Sequence, residues 1–89
     1  MIVPRASRQE IEEVWRERVN EALRRYRIAR LEASTKWTQS RNGEMPYPDG
    51  NFAFRKALQA EDVALSEYKR VLVIFNELVL EGKIPDSDA

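Results

Sequence analysis

An all-α fold is expected of this 89-residue chain: an antiparallel two-helix hairpin that pairs with a second copy into a four-helix bundle. Three features point there. Apolar side chains recur at steps of three and four over two long stretches, start and stop signals bracket both, and a short proline- and glycine-bearing segment separates them. The expected layout is a single domain over 1–89, with a helix over about 7–39, a loop over about 40–50, a helix over about 51–81 and a short tail, 82–89.

The first helix has a clear start. Ser7 followed by Glu10 fits a capping box, in which the serine oxygen accepts an orphan amide at the helix start. Ile11, Trp15, Val19, Ala22, Tyr26, Ala29, Ala33 and Trp37 then fall within roughly a quarter of the helix circumference. Val14 and Leu23 widen this stripe, whereas Ile28 and Leu31 lie outside it. Glu10, Glu12, Glu13, Glu17 and Glu21 dominate the first half, and Arg24, Arg25, Arg27, Arg30 and Lys36 the second. That order complements the helix dipole.

Ser40-Arg41-Asn42-Gly43 offers a left-handed cap at Asn42 or Gly43. Met45-Pro46-Tyr47-Pro48 reads as an extended, rigid connection, with Asp49-Gly50 as a turn and Asp49 or Asn51 as the next cap. The second helix carries two neighbouring apolar stripes. One is Phe54, Ala57, Glu61, Ala64, Tyr68, Val71, Phe75 and Leu78; the other is Leu58, Leu65, Leu72 and Val79, at heptad spacing. Gly82, Ile84 and Pro85 close the helix.

Folding the chain back on itself sets opposite one another residues whose numbers sum near 90. Trp37 then meets Phe54, Tyr26 meets Ala64, Ala22 meets Tyr68, Val19 meets Val71, and Trp15 meets Phe75. Two stripes side by side make a coiled-coil face too wide for one partner helix. Each large aliphatic side chain left wet forfeits ~1.5–3 kcal/mol of burial. A homodimer is therefore expected, with Val63, Val71, Val73, Ile74, Leu78, Leu80, Ile28 and Leu31 at the interface. A different protein offering the same surface is the competing solution.

Composition narrows the chemistry. The chain has no cysteine and no histidine, which removes thiolate and imidazole nucleophiles, bases and metal ligands. No glycine-rich phosphate loop or nucleophile–base pair stands out, so an enzyme is not expected, nor a cofactor or small-molecule substrate. Fifteen basic and fifteen acidic residues cancel, yet residues 1–41 carry ten Lys/Arg against six Asp/Glu, and residues 42–89 five against nine. Two oppositely charged arms attract. The N-terminal residues lack a signal-peptide apolar core, and no run approaches the ~20 residues of a membrane span, so a cytoplasmic location is expected.

Three groups of polar residues invite a functional reading. Glu61, flanked by Ala57 and Ala64, is either a ligand inside the bundle or, more simply, a buried polar register site shared with Tyr26 and Arg25. Arg24, Arg27 and Arg30 form an anion or nucleic-acid patch unless acidic neighbours neutralise them; zero net charge argues against nucleic acid. Glu10, Glu13, Glu17 and Glu21 line one side of the first helix, where carboxylates hold a hard cation or are simply solvated. The functional expectation is a small helical interaction module, an adaptor, scaffold or assembly factor, that self-associates through its second helix. The alternatives are a nucleic-acid-associated regulator and a carboxylate metal or cofactor bundle.

Overall fold

The computed structural model describes residues 7–43 and 49–85, which form α1, Arg8–Arg41, and α2, Asp49–Glu81, packed antiparallel. The expected Met45–Pro48 connection, the first six residues and the tail beyond Pro85 lie outside the described residues. No helix among the described residues is long and apolar enough to cross a membrane.

The helix ends follow local chemistry. Ser7 is extended, and its Oγ accepts the Glu10 amide at 3.2 Å. The Ile11 amide donates to the Ser7 carbonyl at 3.0 Å, starting the ladder of α1. At the other end the Asn42 amide donates to the Thr38 carbonyl at 2.9 Å, and Gly43 takes a positive φ of 73°. α2 begins at Asp49, two residues before the expected start, so Asn51 lies inside the helix. Gly82, at φ 68°, donates its amide to the Leu78 carbonyl at 3.1 Å and ends α2 with a left-handed cap.

Between the helices, Trp15, Ala22, Val71 and Leu78 are buried, with Ile11, Val19, Tyr68, Ile74 and Phe75 packed around them. Ala29 and Ala33 continue the seam, and Trp37 tilts against Phe54 with ring centroids 5.2 Å apart. The Trp37–Phe54 pairing is as expected. Tyr26, by contrast, stacks on Tyr68, with centroids 6.3 Å apart and planes within 2°, one turn from the expected Ala64. Helical side chains lean toward their own N-terminus. In an antiparallel pair Tyr26 and Tyr68 lean toward each other, and Ala22 and Ala64 leave the room.

The hairpin measures 63 × 28 × 16 Å, a single layer of helices. Every residue is therefore within one helix diameter of water, and Leu78 is the one large side chain among the described residues that is wholly enclosed.

Candidate interaction surfaces

A single layer of two helices has two broad sides, and their chemistry differs. One side is charged. A groove of about 480 Å³ runs between the helices over Ala22 and Val71, with Trp15 at one end. Glu21 and Arg25 rim it from α1, Glu67 and Arg70 from α2. Arg70 grips Glu67 with both arms of its guanidinium, Nε donating at 3.0 Å and Nη2 at 2.6 Å. This bond holds the Glu67 carboxyl below the ordinary glutamate range, with Arg25 across the groove adding a weaker pull in the same direction. The same bond raises Arg70. Glu21 accepts from Arg24 Nη1 at 2.5 Å and from Arg25 Nε at 3.1 Å.

The other side is apolar. At about 100° per residue, Leu58, Leu65, Leu72 and Val79 lie roughly 80–140° round from Val71, along one flank of α2. Leu58 and Val79 are 40% and 39% exposed, and Leu65 and Leu72 are half-buried. On α1 the same flank carries Leu23 and, near the loop, Trp37. Arg16 identifies the shared side by placing its guanidinium over the Phe75 ring, 5.9 Å from the centroid.

The residues expected at an interface divide among several surfaces. Val71 and Leu78, 3% and 0% exposed, belong to the hairpin's own seam and offer nothing to a partner. Ile74 packs against that seam. Val73 and Leu80 lie on the back of α2, Ile28 and Leu31 on the back of α1, and Val63 on the charged side; all five are exposed. A list drawn from apolar character alone thus mixes surfaces that face apart.

Within the single hairpin Glu61 is half-buried, no charged side chain among the described residues is buried, and Glu61 is not brought together with Tyr26 and Arg25. Its position explains this: about 80° round from Val71, it sits at the margin of the seam. Tyr26 is taken up by Tyr68, and Arg25 by Glu21 on the opposite side of the hairpin. Of the arginine patch, Arg24 is tied to Glu21. Arg27 lies beside Leu23, Ile28 and Leu31 on the back of α1, and Arg30 is exposed. Among the described residues no three acidic side chains gather into a set suited to a metal ion.

Arg8 had no role in the sequence pattern and has a definite one in the fold. Its Nη2 donates to the carbonyls of Leu78 and Val79, each at 3.2 Å, while its Nε pairs with Glu12 at 3.2 Å. The last turn of α2 holds no basic residue of its own. A cation from α1 therefore satisfies the negative end of α2 and ties the open end of the hairpin together. The one available signal was an arginine in the first turn of α1, where the helix dipole disfavours positive charge.

No protein-family model matches the chain, and no match was found among curated proteins or among solved structures.

Proposed function

We propose that the protein is a small helical interaction module, an adaptor, scaffold or assembly factor, that self-associates through its second helix into a four-helix bundle. The observation that supports this is the row Leu58, Leu65, Leu72 and Val79: four large apolar side chains at heptad spacing, left partly wet along one flank of α2. Heptad rows of this kind are covered by another helix in stable structures. Covering each leucine contributes on the order of 1 kcal/mol, because part of its surface is already buried. A second copy meets the need with a closed two-fold contact, the commonest form of assembly.

Light scattering at micromolar concentration tests this. The expected mass is about twice the 10.4 kDa of one chain. Replacing Leu65→Glu and Leu72→Glu together is expected to return the monomer mass. A wild-type chain that stays monomeric while fully helical would remove the proposal. The nucleic-acid reading has weaker support, since Glu21 is already bridged to Arg24 and Arg25 and offsets one of their two charges. Retention on DNA at low salt, falling steeply as salt rises, would revive it.

A further inference from the structure

We infer that the two copies pair apolar side to apolar side with their loop ends together, each α1 lying over the partner's α2; this rests on the self-association proposed above. Two flat hairpins that meet through one broad side have two symmetric choices. If the two-fold axis runs along the helices, the loop ends coincide and α1 covers the partner's α2. If it runs across them, the loop ends are opposed, α1 covers α1 and α2 covers α2.

Charge separates the two. α1 carries nine Lys/Arg against six Asp/Glu, and α2 carries four against six. With loop ends together every helix has neighbours of opposite net sign, both within its own hairpin and across the interface. With loop ends opposed, each helix faces a copy of itself.

The residues flanking the apolar row give the same answer at closer range. Arg16 and Arg30 of α1 and Glu61 of α2 border it, all on the side of the hairpin marked by the Arg16–Phe75 contact. With loop ends together, residues whose numbers sum near 90 face one another across the interface as they do within the hairpin. Arg30 then stands over Glu61 of the partner subunit. With loop ends opposed and the row centred between Leu65 and Leu72, the corresponding point on α1 falls between Glu21 and Ala22. Arg16 of one copy is then set against Arg27 of the partner subunit, with Arg30 of the partner subunit about one turn further on. Two arginines at the edge of an apolar contact repel where screening by water is weakest.

The absence of cysteine permits a direct test. Arg41, exposed in the last turn of α1, is replaced as Arg41→Cys and given a nitroxide label; Gln9→Cys, exposed at the other end, is labelled separately. Pulsed electron spin measurement then gives the distance between labels in the dimer, with light scattering on the same samples. Loop ends together place both pairs of labels within a few helix diameters, ~10–20 Å between backbones. Loop ends opposed place the Arg41 labels about 58 Å apart and the Gln9 labels about 38 Å apart, from the 1.5 Å rise per residue. A dimer with short distances at both ends upholds the arrangement. A dimer with long distances overturns it and leaves the self-association standing. A monomer mass overturns both.

Discussion

Leu78 and Leu80 are two residues apart in one helix and differ completely in environment, 0% and 80% exposed. Cutting back Leu78→Ala removes contacts on every side and leaves a cavity in a thin seam, at a cost of about 2–5 kcal/mol. Leu80→Ala is expected to shift the urea midpoint very little, since the side chain already lies in water. Comparing the two midpoints, with circular dichroism confirming helix in each, checks the placement of the seam. Glu67 gives a pH signature. Its folded carboxyl titrates below the ordinary value of 4.5, chiefly because Arg70 bonds its charged form. A lowered acid contributes stability above the unfolded value, and that contribution disappears as pH falls through the folded one. Glu67→Gln should therefore lower the neutral plateau slightly and converge with the parent at acid pH, so that the acid limb flattens; the pair is exposed, so the effect is small.

At the scale of the helix, α2 depends on α1 for its C-terminal end. Gly82 supplies the left-handed turn, and Arg8 supplies the donors that α2 lacks. A Cβ at Gly82 would lie 3.4 Å from the Arg8 guanidinium, so cap and clamp are packed as one unit. Arg8→Met keeps the length of the side chain and removes the donors. It is expected to destabilise the hairpin by about 1 kcal/mol, because a charged hydrogen bond here is partly open to water. Amide exchange in the last turn of α2 should quicken in that variant while the Trp37 end stays protected. Unchanged exchange in that turn would mean that Gly82 holds the helix end without help.

At the scale of the whole molecule, a layer 16 Å thick encloses too little apolar volume to be very stable alone. Among the described residues one contiguous buried cluster forms, containing Trp15, Ala22, Val71 and Leu78. If a second layer covers the row from Leu58 to Val79, folding and assembly are coupled, and the thermal midpoint must rise with protein concentration. Scans over a hundredfold range of concentration measure this directly. A midpoint that does not move would identify a hairpin stable without a partner.

Periodicity and end signals were sufficient for the two helices, the Ser7 cap, the glycines at 43 and 82 and the meeting of Trp37 with Phe54, because these follow from spacing along one chain. Which apolar residues remain open to a partner was not legible there. Val71, Leu78, Val73 and Leu80 are equally apolar in sequence, and burial separated them once α1 was laid against α2. Arg8 escaped for the same reason: its acceptors lie some seventy residues away along the chain. Local pattern determines what each helix is, whereas the packing of one helix on the other decides which of its faces, and which of its charges, are left for anything else.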